Sequence, residues 1–213
     1  MTYTYFDLES IPDQSEGALE RAKESIKIPA NYKNPDTIAA YIEDNAQDAW
    51  EKTALDGWKG HVACIVYERS GNYDNRMSVR DVKDEKQILE YFFSDLTETT
   101  FVGHNIIGFD MPFLTKRALV LGVKLPPEHI WPRNLRPWDT KVFDTMTAFG
   151  NGKEFISLDN LARNLGIKGK GETTGKQVHY MWQQGLHDEI AEYCSDDVRI
   201  VREIHERFLA CNW

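Results

Sequence analysis

Four acidic residues, Asp7, Glu9, Asp110 and Asp197, stand where the hydrophobic pattern calls for buried apolar side chains. Carboxylates are almost never fully buried unless they are paired or hold a metal, so a fold that turns several of them inward must bring them to a shared cation. Residues 2 to 10 alternate with a β-strand period, and on a strand positions i and i+2 share a face, so Asp7 and Glu9 project side by side. In the helical run that closes the sequence, Ile190, Tyr193, Cys194, Val198, Val201, Ile204 and Phe208 form one stripe at about 100° per residue. Asp197 falls inside that stripe and Asp196 outside it. The same wheel puts Phe109, Phe113, Leu114, Val120 and Leu121 on one face with Asp110 near its centre, and Arg117 shares that face, where it can pair with Asp110 or meet a phosphate. Any one of these acids alone reads as a salt bridge or a helix cap. Together they predict an oxygen-rich site suited to Mg²⁺ or Mn²⁺ rather than zinc. Tyr193 lies one turn before Asp197 on the same face, within reach of that site.

A chain of 213 residues is expected to form one domain around one core. No run of about 18 apolar residues is present, and Met1-Thr2-Tyr3-Thr4 lacks the basic and apolar parts of a secretory signal. Cys64, Cys194 and Cys211 are an odd number without a CxxC pair, which argues against a disulfide framework or structural zinc. A cytoplasmic chain without a membrane partner follows. The six histidines form no HExxH and no ligand pair on a helix face. A formal charge of −9 speaks against nucleic acid, yet residues 112 to 180 hold 6 acids and 11 bases, and a locally basic middle is compatible with phosphate binding.

After the first strand, the polar stretch from residue 13 to 59 contains two helical candidates, 16–26 and 35–55, the second opened by Asn34 as cap and Pro35. It holds too few apolar positions for a core of its own and reads as an N-terminal helical insertion. Strands are expected at 61–67, 76–79 and 100–104, and helices at 84–96 (Asp84 capping, with Gln87 at the capping-box position), 108–121, 157–165 (Ser157 capping) and from His187 or Asp188 to about Leu209. Residues 126–137 form a proline-broken loop, and 166–175 a basic, glycine-rich one.

With these elements in place, the chain resembles the DEDD superfamily of 3′-to-5′ exonucleases in its tyrosine form. Asp7-Leu8-Glu9 is similar to the first motif, Asn105 through Asp110 to the second, and Tyr193-x-x-x-Asp197 to the third. The runs 53–65 and 157–167 resemble stand-alone exonucleases related to B-family polymerase proofreading domains, many of them phage encoded. The resemblance implies an α/β, ribonuclease H-like fold with a mixed central sheet flanked by helices. It implies action without an attached polymerase, and two-metal phosphodiester hydrolysis with Asp7 bridging two divalent cations, Glu9 and Asp197 completing one, and Asp110 holding the other. Tyr193 would position the attacking water, and nucleoside 5′-monophosphates would be released. Single-stranded or frayed DNA is the expected substrate, with RNA as the alternative because nothing visibly tests for a 2′-hydroxyl; a non-catalytic nucleic-acid-binding or partner-recruiting module is the reading from another class.

Supporting positions follow the same pattern. Leu8 and Phe113 are core residues that could also touch the terminal nucleotide, and Asn105 either bonds substrate or turns its loop. Lys168, Lys170 and Lys176 around the glycine-rich loop are candidate phosphate contacts. Trp131, Trp138 and Trp182 are packing residues or stacking platforms. His104 and Asp144 are read as structural, Asp144 as a helix cap. The acidic helices of 13–59 offer a surface for a replication or repair protein.

Overall fold

The computed structural model describes residues 2–69, 74–136, 139–150, 155–171 and 174–212. Its sheet has five strands, β1 (Tyr3–Ile11), β2 (His61–Arg69), β3 (Asp74–Ser78), β4 (Thr100–Gly103) and β5 (Val142–Asp144), in the order β3-β2-β1-β4-β5. β2 is antiparallel to β1 and β3, whereas β4 runs parallel to β1 and β5 parallel to β4. β1 is therefore central, paired with β2 over Thr4–Ile11 and with β4 over Tyr3–Tyr5, and its side chains project alternately up and down into the helical layers. A register shift between Glu9 and Ser10 marks a bulge just past the two acids, the kind of irregularity that redirects a strand beside a site.

The described residues also form eight α-helices: α1 (Ala18–Glu24), α2 (Pro35–Glu51), α3 (Glu85–Asp95), α4 (Asp110–Leu121), α5 (Thr145–Gly150), α6 (Leu158–Asn164), α7 (Gly175–Gln183) and α8 (His187–Ala210). On one face of the sheet Phe6, Leu8, Ile65 and Phe101 meet α3, α4 and the fully buried Trp131, whose ring packs edge-on against Phe92, Phe93 and Phe101. Trp131 is thus a packing residue. On the other face Tyr5, Ile11, Cys64, Val66 and Val102 meet α6, α7 and α8. Trp182 is packed against that second core and donates its indole N–H to the Val79 carbonyl, and Trp138 lies outside the described residues. No helix among the described residues is long and apolar enough to cross a membrane.

Several local expectations need correction. Asp84 does not cap α3: it already has helical backbone angles because a 3₁₀ turn begins earlier, with Asp81 accepting from the Lys83 N–H. The predicted helix at 35–55 is α helical to Glu51 and tightens to a 3₁₀ turn over Lys52–Leu55, while Asn34 caps it as expected. Val120 is about half exposed rather than buried, since α4 leaves the core at its last turn. β5 and α7 were not anticipated, although Thr174 and Gln177 form a capping box at the start of α7.

Candidate active site

β1 alternation sends Asp7 and Glu9 to the face covered by α8, and the α8 stripe returns Asp197 to them. Asp7, Glu9 and Asp197 each offer one carboxylate oxygen to a cluster in which all three lie within 4.8 Å of one another. Asp196 turns away to pair with Arg199 at 3.3 Å. Asp110, 3 % exposed at the first position of α4, is placed by the turn that follows β4. That turn is tight: a side chain at Gly103 would collide with Ile106, and Asn105 sits at φ +65°. The Asp144 carboxylate fixes the turn from below, accepting from the backbone N–H groups of Asn105 (2.9 Å) and Ile107 (3.1 Å) while also capping α5 through Met146 (3.0 Å). Asp110 stands near enough to Asp7 to feel its charge.

The electrostatics of the cluster are those of acids forced together. Burial, and then the neighbouring Asp197, push the Asp7 carboxyl up from 3.8 to about 8. Burial, and then Asp7, raise Glu9 and Asp110 well above the ordinary carboxylate range. Asp197 is raised by burial too, against the pull of Lys170. Oδ1 of Asp197 is buried without a hydrogen-bond partner among the described residues. An all-oxygen donor set, a repulsion that only positive charge relieves and an orphaned carboxylate oxygen together fit a divalent cation.

One cation of the protein already faces this cluster. The Lys170 ammonium donates to the Tyr193 hydroxyl (2.7 Å) and to Asp197 Oδ2 (2.9 Å) and lies 4.6 Å from the centre of the Tyr193 ring. Burial, Glu9 and Asp197 push the Tyr193 phenol above its ordinary value, so it stays protonated at neutral pH. Burial lowers Lys170, but Asp197 and Tyr193 outweigh it and the ammonium is held in its charged form.

Of the predicted site residues, the structure gathers Asp7, Glu9, Asp110, Tyr193, Asp197 and Lys170. Lys168 and Lys176 are exposed, and neither side chain bonds an acid of the cluster among the described residues. Leu8 and Phe113 are buried in the core on the α4 face. Both ring nitrogens of His104 are used, against Thr145 and the Ile156 carbonyl at 2.9 Å each. Arg117 does not meet Asp110: it is almost fully buried and bound to Glu85 through Nε (2.8 Å) and Nη2 (2.6 Å). Sequence reasoning missed Glu85, which reads as an ordinary first-turn acid, and missed the Cys194 thiol, which lies 3.3 Å from Asp7 Oδ2. Its place on the Asp197 stripe was the available signal.

The fold is an α/β domain with a cluster of inward-turned carboxylates, and comparison with known proteins gives its class. A family model described as "Predicted 3'-5' exonuclease related to the exonuclease domain of PolB" matches residues 61–201, more than half of the chain. The chain belongs to that family and is a 3′-5′ exonuclease. The matched span contains Asp110, Tyr193 and Asp197, while β1 with Asp7 and Glu9 lies ahead of it. Among solved structures, the family B DNA polymerase from the hyperthermophilic archaeon Pyrobaculum calidifontis is similar in fold, with a TM-score of 0.65 and 17% identity over 98% of this chain. The chain spans about a quarter of that polymerase, 24% of its length. No curated protein matches.

Proposed function

We propose that this exonuclease shortens single-stranded or frayed DNA from the 3′ end by divalent-cation-dependent hydrolysis, within a single ribonuclease H-like domain in which residues 13–59 are a helical insertion. The observation that carries the reading is the convergence of Asp7, Glu9 and Asp197 within 4.8 Å, with Asp197 Oδ1 unpartnered. Asp7, Glu9 and Asp197 would hold one cation, and Asp7 with Asp110 a second. Mg²⁺ or Mn²⁺ there would supply polarisation of the phosphate and a lowered pKa for the attacking water.

The remaining steps belong to the chain itself. Tyr193, protonated and held at its hydroxyl by Lys170, positions the water rather than deprotonating it, since its proton is bound too tightly for a base. Lys170 can exchange its bond to Asp197 for a non-bridging oxygen of the scissile phosphate, bringing positive charge where negative charge develops. Attack at phosphorus with departure of the 3′ oxygen leaves a nucleoside 5′-monophosphate. The acidic exposed face of α2, with Asp36, Glu43, Asp44 and Asp48, is the surface we assign to a replication or repair partner. Three free cysteines accord with a reducing, cytoplasmic setting.

The test is a 5′-labelled oligonucleotide, as matched DNA and RNA, incubated with Mn²⁺. A ladder shortening from the 3′ end on DNA, lost in Asp7→Asn, supports the reading; cleavage that persists in Asp7→Asn overturns it, and a faster ladder on RNA replaces the substrate.

A further inference from the structure

A cavity of about 710 Å³ opens between α1, the turn before β2 and the end of α4, away from the acid cluster. Its lining combines three chemistries. The Trp58 ring is 53% exposed and stands with half-exposed Val120 and with Leu121, so the wall is aromatic and aliphatic yet faces solvent. The Lys59 ammonium is exposed, with no ion pair among the described residues, while Lys116 lies 6.0 Å from the Trp58 ring centre. His61 contributes an Nε2 that is buried without a hydrogen-bond partner, its Nδ1 being held by Glu85 at 2.9 Å. Two acids share this wall: Asp13, taken up by Ser15 and Arg21 and 3.9 Å from His61 Nε2, and the exposed Glu16, whose charge the neighbouring Arg21 and Lys59 outnumber.

The position of this wall relative to the acid cluster is set by close packing. A side chain at Gly57 would come within 2.6 Å of the Phe113 carbonyl oxygen and 3.1 Å of Lys116 Cβ, so the turn bearing Trp58 rests directly on the first two turns of α4. Asp110 begins that helix, and a rise of about 1.5 Å per residue puts Arg117, on the cavity wall, roughly 10 Å further along it. The next few nucleotides of a strand held at Asp110 can span that length.

We propose that this cavity is a second nucleic-acid subsite, in which an unpaired base of the strand being degraded stacks on Trp58 beside Val120 and Leu121 while its phosphate meets Lys59. An aromatic platform next to an unengaged cation is the combination by which single strands are held without sequence readout. An apolar protein segment would use the same wall without needing the Lys59 charge, and it is the competing occupant. The inference rests on the exonuclease reading for the direction of the strand, but not for its binding.

The experiment uses the full chain carrying Asp7→Asn, which binds without cleaving, and a fluorescent single-stranded oligonucleotide of about 12 nucleotides followed by anisotropy. Adding Trp58→Ala should weaken binding roughly 5- to 150-fold, the range for loss of one stacked base. Lys59→Ala should reduce the slope of log affinity against log salt by about one. Tyr91→Ala, an equally exposed aromatic on α3, should change neither. Unchanged affinity in Trp58→Ala, or an equal loss in Tyr91→Ala, overturns the subsite. In the otherwise native enzyme, Trp58→Ala should raise KM for the oligonucleotide and leave cleavage of a dinucleotide unaltered; equal losses on both substrates would also overturn it. If the native enzyme cleaves neither substrate the exonuclease reading fails, and the anisotropy difference still decides the subsite.

Discussion

Two clusters of buried charge are linked by α4, through Asp110 at its first residue and Arg117 two turns further along, and behave in opposite ways. Glu85 is fully buried, yet it accepts from Arg117 twice, from His61 and from the Val62 N–H at 2.9 Å, and its carboxyl is held below the ordinary range because those partners outweigh burial. The four carboxylates around Asp7 face one ammonium among the described residues, that of Lys170, and their pKa values rise. Burial is close in the two places except at Asp7, which is partly exposed. What differs is the supply of positive charge: the first cluster is complete within the protein, and the second is short of cations by construction. A buried acid is therefore structural or functional according to what the fold leaves unpaid around it.

The sharpest way to break this contrast is to delete one acid from each cluster. Asp7→Asn should lower the exonuclease rate by at least about 10³-fold, the scale of removing a group that acts with others as a unit, while the cation-free protein becomes more heat-stable because repulsion is relieved. Nucleotide release and a melting curve on the same sample check both halves. Glu85→Gln should do the reverse, costing about 3–5 kcal/mol in urea unfolding because Arg117 is left buried without its partner. If the two substitutions shift stability in the same direction, the distinction between the clusters is wrong.

Tyr193→Phe sharpens the active-site half. Losing the hydroxyl that Lys170 holds should reduce kcat on the order of 10²-fold with little change in KM, and titration calorimetry should find Mn²⁺ affinity nearly unaltered. A large loss of Mn²⁺ affinity instead would make Tyr193 part of the cation site.

The pH dependence of stability provides a smaller effect of definite sign. Asp7 titrates near 3.8 when unfolded and about 8 when folded, so between those values the native state holds a proton that the unfolded chain has lost. Stability of the cation-free protein is then fully present below pH 4 as far as this group is concerned, and declines as pH rises toward 8. Scanning calorimetry with a chelator should show the melting temperature falling across that window, with excess Mg²⁺ or Mn²⁺ restoring more at the upper end. Smallest of all, Asp196→Ala should leave activity intact and shift stability by less than about 0.5 kcal/mol, since it removes only a partly exposed pair with Arg199.

Much of this was legible residue by residue. Period two on β1 aligned Asp7 with Glu9, the α8 wheel chose Asp197 over Asp196, and Asn34 and Ser157 announced their helices and cap them through side-chain oxygens. The same wheel misjudged Val120, because periodicity says which residues share a face but not how far along the helix that face stays covered. The site residue Lys170 was visible only as one of three lysines in a glycine-rich loop, and no local signal distinguished it from Lys168 or Lys176. The partner of Arg117 was equally hidden.

The sequence by itself determined which side chains turn inward, because strand and helix periods are set by backbone geometry and need no distant partner. Only the tertiary structure decided how those charges are matched. Arg117 finds Glu85 across 32 residues and Lys170 finds Asp197 across 27, and contacts of that span depend on how the layers dock. One acid cluster was thereby neutralised, and the other left with more carboxylates than cations among the described residues.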